Sequence, residues 1–334
     1  MNTISQNQSL DKFKSSLQQL FSHLGVNVLL KQSNFKKRAG YGTSVSELFF
    51  MVFASCFFSR NKTVYGNFTS TKQSNVCASK SALYRFLSNE HNNWRKLLLL
   101  LSSRVISKIK SLSDSDRKLC LVLDDSVLER TKGKEVELLA RIFDHVSHRF
   151  VKGFTCLQLG WTDGISYIPV NSALLSSANT DNRYCDATDE IDHRTCGFVR
   201  RAEAQIKKTT MAIDLIKQTL RAGIVADYVL MDTWFTTEPF IKAITDLGLD
   251  VIGMVKQMKQ RYWYNGEQLN LRKLYQAIPN KCGGDIICSA VVKTKNGIKV
   301  RIVFIRNRNA RREYLALLST DLDISEEDIV RQYA

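Results

Sequence analysis

Three aspartates stand where short apolar runs stop. Leu119-Cys120-Leu121-Val122-Leu123 is followed by Asp124-Asp125-Ser126, and Tyr228-Val229-Leu230-Met231 by Asp232. Both runs read as buried strands. In α/β sheets, ligands and metals gather at the carboxyl ends of strands. A carboxylate there is placed by a rigid sheet yet open to solvent. Two of them on neighbouring strands suit a pair of divalent ions about 4 Å apart, the arrangement used for in-line displacement at phosphorus. Carboxylate oxygens favour hard ions such as Mg²⁺ or Mn²⁺. A lone strand-end aspartate is usually a turn former or a helix cap. Either position alone would be read that way; both together, in a strongly basic chain, favour the metal-binding pair.

The elements that must hold these residues follow from pattern. Asp163-Gly164 lies between two apolar runs, Phe154 to Trp161 and Ser166 to Val170, and marks a hairpin. Phe198 to Ala222 and Thr237 to Leu247 have helical spacing, and Val251 to Val255 is a further strand. Thr180 to Thr195 is polar and aperiodic, hence a surface loop. From Gln260 to Thr320 the pattern becomes β-rich, with Asn296-Gly297 as a second hairpin signal between Ile286–Thr294 and Ile298–Ile305. Before Leu119 the chain reads as helical: Leu10, Phe13, Leu17, Leu20, Phe21 and Leu24 recur at helical spacing. Ser44 with Glu47 forms a capping box, and Ser79 or Ser81 caps the helix through Tyr84-Arg85-Phe86-Leu87. A fourth helix runs from Trp94 to Ile109. The expected organisation is a basic, all-helical domain over residues 1–115 and an α/β domain over 116–334, with a β-rich insertion at about 257–320.

Charge separates these regions. The 334 residues carry a net charge of +16, and the first 110 hold 16 Lys and Arg against 3 Asp and Glu, an excess of 13. A basic module joined to a near-neutral core points to a polyanion partner, double-stranded DNA above all; a basic surface kept for solubility is the plainer alternative. Candidate phosphate contacts are the loop cluster Lys36-Lys37-Arg38, Arg85, Arg95 and Lys96 in the helical part, and Arg149 and Lys152 in the core.

Other residues invite chemistry less well. The 8 cysteines are scattered without a C-x-x-C pair, which fits reduced core thiols and argues against structural zinc. His145 and His148, with Asp144, lack the second ligand pair zinc requires, so a structural or DNA-contacting role is favoured. Asp192-His193 is a loop pair of no special spacing. Arg261-Tyr262-Trp263-Tyr264 could stack on an extruded base, though a strand with aromatic packing explains it as well. Arg306, Arg308, Arg311 and Arg312 read equally as phosphate contacts or as a solvated turn. No signal peptide is visible, and the longest apolar run, Leu48 to Phe58, is too short to span a bilayer. Location in the cytoplasm, at the nucleoid, is expected.

The strand-end motifs resemble those of the insertion-sequence DDE transposases with a Y-R-E-K signature, the insertion-sequence-four-like group. Leu121-Val122-Leu123-Asp124-Asp125-Ser126 resembles the strand bearing that family's first catalytic aspartate. Val229-Leu230-Met231-Asp232-Thr233-Trp234-Phe235 resembles the second, and the β-rich stretch lies where these enzymes insert a β subdomain. Ile329-Val330-Arg331-Gln332-Tyr333-Ala334 resembles the start of the signature, with Tyr333 in the Tyr position. The resemblance covers most of the chain from Leu119 onward and is weaker before it. It implies an RNase H-like core, two Mg²⁺ or Mn²⁺ ions, and DNA strand cleavage followed by strand transfer at the element's terminal inverted repeats. It also implies a homodimer across paired DNA ends. Asp125, directly before Ser126, best matches the first catalytic and metal-binding position, with Asp124 as the alternate or as a supporting residue; Asp232 matches the second. The signature's Arg, catalytic Glu and Lys would follow Ala334. The chain as given is therefore expected to be inactive alone, the alternative being a non-catalytic DNA-binding product that regulates transposition.

Overall fold

The structure, a computed structural model, describes residues 12, 15–37, 42–58, 78–114, 116–279, 284–310 and 313–333. The chain divides into two compact units, residues 1–107 with 187–202, and residues 108–186 with 203–334.

The described residues of the first unit contain helices and no strand. The main ones are α1 (Val26–Gln32), α2 (Val45–Phe58), α3 (Lys80–Leu87) and α4 (Trp94–Lys110), the last running into the second unit. Ser44 and Glu47 cap α2 reciprocally: the Ser44 amide donates to Glu47 Oε2 at 2.8 Å and the Glu47 amide to Ser44 Oγ at 3.2 Å. Ser79, not Ser81, caps α3, its Oγ accepting from the Ala82 amide at 3.2 Å. Such caps satisfy amides that a helix start leaves open. Leu29, Leu30, Phe35, Leu48, Phe49, Leu83, Phe86 and Leu97 form the core, and Phe35 meets Trp94 edge to face at 4.7 Å. Leu10 and Phe13 of the expected first helix lie outside the described residues.

The second unit is built on one large, mostly antiparallel sheet in a mixed α/β fold. In chain order its strands are β1 (Cys120–Glu129), β2 (Ala140–Asp144), β3 (Arg149–Thr162), β4 (Tyr167–Leu175), β5 (Tyr228–Met231) and β6 (Asp250–Val255), then β7 (Arg261–Tyr264), β8 (Glu267–Asn270), β9 (Ile286–Thr294), β10 (Lys299–Arg306) and β11 (Tyr314–Ser319). They pair in the order β2-β3-β1-β5-β6-β11-β10-β9-β7-β8, with β4 also on β3. Among the described residues, only the β1–β5 and β5–β6 pairs are parallel. Between strands lie α6 (Lys208–Arg221), α7 (Glu238–Thr245) and α8 (Leu271–Ala277), and α9 (Glu326–Tyr333) follows β11; α5 (Cys196–Glu203) belongs to the first unit up to Ala202.

Helices cover opposite faces. Side chains alternate along β1, so Cys120 and Val122 point one way and Leu121 and Leu123 the other. Cys120 and Val122 join Tyr228, Leu230, Ile252 and Leu317 in a cluster with Ile329, Val330 and Tyr333 of α9. On the reverse face Leu121, Leu157, Leu159 and Trp161 are fully buried, as are Met211, Ala212, Leu215 and Ile216 of α6. Asn171, paired with Leu159, ties β4 to α6 by donating to the Leu215 carbonyl at 3.2 Å. Each such fully buried aliphatic side chain contributes about 1.5–3 kcal/mol.

Several expectations shift. β1 does not stop at the aspartates; its register with β3 is unbroken from Cys120 to Glu129, because the 14-residue β3 offers ladder partners throughout. The stretch read as one helix from Phe198 to Ala222 is two, α5 and α6, interrupted where the Ala204 carbonyl accepts from the Ser176 amide at 2.7 Å. The later β-rich strands continue the same sheet, with β11 antiparallel to β6. A bare β6 edge would leave ladder groups unpaired beside the buried Val251 and Ile252.

Candidate active site

The parallel register of β1 and β5 ends with Leu123 opposite Met231. The next residue on each strand is an aspartate. Asp124 therefore stands beside Asp232, and alternation puts both on the α9 face. A tyrosine reads the same geometry. Tyr333, on α9, donates from Oη to the Met231 carbonyl at 3.2 Å. Its phenol is pushed up to about 12, first by burial, then by the negative charges of Asp232 and Asp124. Tyr167, on β4, is also raised, by burial first and then by Asp124. Both carboxylates thus bear on Tyr333, and Asp124 also on Tyr167.

Asp232 is held by the turn it starts. Its Oδ1 accepts from the Trp234 amide at 3.0 Å and the Phe235 amide at 3.3 Å. Its carbonyl accepts from Thr236 Oγ1 at 2.7 Å. Gly253, paired with Met231, makes room for this: a Cβ there would come within 2.5 Å of Thr236 Oγ1. Among the described residues, Asp232 Oδ2 accepts no hydrogen bond, and the exposed Asp124 carboxylate has neither hydrogen bond nor ion pair.

Asp125 is placed differently. It faces the α6 side, where Lys208 Nζ lies 2.9 Å from its Oδ1 and both side chains are largely covered. The strand continues through both aspartates, so consecutive side chains must diverge. By this register Asp124, and not Asp125, shares a face with the end of β5.

The basic candidates fall into separate groups. Lys36, Lys37 and Arg85 line one groove of about 280 Å³ in the first unit, together with Ser79, Gly42 and Asn89. Arg38 lies outside the described residues. Arg95 and Lys96 sit in the first turn of α4 and do not line that groove. In the second unit, Arg149 approaches Glu129 at 3.5 Å, and Lys152 Nζ lies 4.7 Å from the centre of the Tyr184 ring.

The remaining motifs have structural explanations. Asp144 closes the β2–β3 turn that holds His145 and His148, accepting from the Val146 amide at 2.9 Å and from Ser147 Oγ at 2.5 Å. In β7, Tyr262 is buried and Trp263 is 44% exposed, as alternation requires. Arg308 pairs with Asp285 at 2.6 Å; Arg311 and Arg312 lie outside the described residues. Sequence reasoning did not single out Lys208 or Tyr167. Neither offered a signal: Lys208 lies inside the stretch read as one helix, and Tyr167 inside a plain apolar run.

Among the described residues, no group of three or more His, Cys, Asp or Glu is placed to hold a metal ion. The Asp124–Asp232 pair nonetheless fits a hard divalent cation. Its donors are all oxygens, and Mg²⁺ is commonly held by one or two carboxylates with water and substrate phosphate completing the shell. No helix among the described residues is long and apolar enough to cross a membrane.

Comparison with known proteins adds a family. No curated protein matches the chain. Among the solved structures similar to it are two nucleic-acid enzymes. The NurA nuclease from Sulfolobus solfataricus shares 10% identity at a TM-score of 0.28, over 68% of this chain and 79% of that one. The Drosophila P element transposase strand transfer complex shares 12% identity at a TM-score of 0.30, over 81% of this chain and 56% of that one. The sequence pattern of the DDE superfamily endonucleases matches residues 47–270, more than half of the chain and a span that includes Asp124, Asp125 and Asp232; the chain belongs to that family.

Proposed function

We propose that this protein is a transposase of the insertion-sequence type, insertion-sequence-four-like, that cleaves DNA at the ends of its element and joins the freed 3′ end to target DNA. The observation that carries this reading is the pairing of Asp124 with Asp232 at the carboxyl ends of adjacent parallel strands, in a chain of the DDE superfamily endonuclease family. Its RNase H-like core corresponds to β4-β3-β1-β5-β6 with α6 and α7 as the connections, which the strand order supports.

Asp124 and Asp232 are the residues we assign to one or more Mg²⁺ or Mn²⁺ ions, in place of the Asp125–Asp232 pair expected from motif matching. Divalent metal held there would neutralise charge on a scissile phosphate and favour ionisation of an attacking hydroxyl or water. The protein's own part is placement. The Trp234 and Phe235 amides fix one oxygen of Asp232 and leave the other without a hydrogen bond among the described residues. Tyr333, the residue that opens the Y-R-E-K signature in this reading, stays protonated at physiological pH. It ties α9 to the end of β5 and covers one flank of the pair.

DNA is the proposed substrate, as terminal inverted repeats and as target, with two copies of the protein acting on paired ends at the nucleoid. Lys36, Lys37 and Arg85, gathered in one groove, are suited to successive backbone phosphates; Arg38, Arg95, Lys96, Arg149 and Lys152 are assigned supporting contacts. The test is Mn²⁺-dependent cleavage of DNA carrying the element's ends, by the product of the whole reading frame. Loss of cleavage in both Asp124→Ala and Asp232→Ala is expected. Unchanged cleavage in either would overturn the assignment.

A further inference from the structure

Lys208 opens α6, and the helix itself gives no reason for it. The first turn of α6 has no acid, and Lys207 stands at its cap without a side-chain hydrogen bond. Two positive charges therefore meet the positive end of the helix dipole, which is unfavourable. Local misfits of this kind often mark a functional demand met elsewhere.

The partners of Lys208 supply that demand. Its Nζ lies 2.9 Å from Asp125 Oδ1. The same nitrogen sits 3.6 Å from the centre of the Trp234 ring and 5.4 Å from that of Phe235. Trp234 is 42% exposed, so the indole is held over the lysine without being buried in the core. The amides of Trp234 and Phe235 are the two that grip Asp232 Oδ1. One ammonium thus links β1, next to Asp124, to the turn carrying Asp232.

We propose that Lys208 is a positioning residue: clamped between Asp125 and the Trp234 ring, it holds the Asp232 turn closed and so fixes the separation of the Asp124 and Asp232 carboxylates. That these carboxylates bind metal rests on the function proposed above; the closure of the turn does not. In this arrangement Asp125 is the anchor for the lysine. An arginine at 208 can keep both the ion pair and the contact with the indole; a methionine keeps only the stem.

Hydrogen exchange at the Trp234 and Phe235 amides tests the clamp without metal. Exchange at both should be at least tenfold faster in Lys208→Met and Asp125→Asn, and within about threefold of wild type in Lys208→Arg. The Leu230 amide, inside the sheet, should not change, which separates local opening from unfolding. Trp234→Leu, which leaves the ion pair intact, provides a second opening of the same turn should Lys208→Met fold poorly. Unchanged Trp234 and Phe235 exchange in Lys208→Met, or unchanged Phe235 exchange in Trp234→Leu, overturns the proposal. Mn²⁺ binding, followed by the free-ion paramagnetic resonance signal, is measured on the same proteins. It should weaken about tenfold in Lys208→Met, recover in Lys208→Arg and disappear in Asp124→Ala. Opened amides with Mn²⁺ binding indifferent to Asp124→Ala would sink the carboxylate assignment and leave the clamp standing. Closed amides would sink the clamp whatever the metal does.

Discussion

The two faces of β1 treat neighbouring aspartates in opposite ways. On the α6 face, Leu121 and Leu123 are packed under a helix, and Asp125 at the edge of that layer is neutralised by Lys208. On the α9 face, Cys120 and Val122 are covered, but Asp124 reaches past the end of β5 and is left exposed beside Asp232. The residues are identical and adjacent. The layer each one meets separates a carboxylate that braces the fold from one available to a ligand.

That contrast can be broken from either side. The largest effect expected is on stability: Leu123→Ala, emptying a fully buried site on the α6 face, should cost about 2–5 kcal/mol, measured by denaturant unfolding. Val122→Ala, half-buried on the α9 face, should cost less than half as much. Next comes activity. Asp124→Asn should lower Mn²⁺-dependent cleavage on the order of 100-fold, or about 2.7 kcal/mol in the barrier, without recovery at high Mn²⁺. Asp125→Asn should recover substantially as Mn²⁺ is raised. Equal and unrecoverable losses in both would erase the distinction between the faces.

Smaller effects sharpen it. Asp163, in the β3–β4 turn, is driven upward by burial. The amides of Ser166 and Ile165, the Arg117 guanidinium and the Ser113 hydroxyl outweigh this and leave its pKa below the usual carboxylate range. A depressed folded-state pKa stabilises the fold above the unfolded pKa, and that stability is lost as pH falls through the folded value. Asp163→Asn should therefore cost about 1–3 kcal/mol near neutrality, with the difference from wild type shrinking only below about pH 4. Tyr333 titrates at the other end. Its pKa is raised to about 12, so its contribution is whole below about pH 10 and fades as pH rises through the folded value. Unfolding of wild type and Tyr333→Phe should converge only in that alkaline window. The smallest effect is expected in the first unit: Arg85→Ala should reduce the salt dependence of DNA binding by about one phosphate contact.

Much of the architecture was legible because it is written in local pattern. The apolar runs at Leu121 and Val229, the Asp163-Gly164 and Asn296-Gly297 turns, and the caps at Ser44 and Ser79 each carry their own signal within a few residues. The break between α5 and α6 was not legible, because no glycine or proline marks it. Nor was the joining of β11 to β6, since strand pairing is a choice among edges.

Within the site, the sequence alone determined the chemistry on offer: three aspartates following two buried apolar runs, and a basic N-terminal region. Motif matching favoured Asp125, for Ser126 follows it directly. Only the tertiary structure decided which aspartate stands with Asp232. β1 runs on through both carboxylates in register with β3, so their side chains must alternate. The β5 register then assigns Asp124 to the open side and Asp125 to Lys208. Spacing along a chain can name a pair of acids, but which of them share a face is set by the strands beside them.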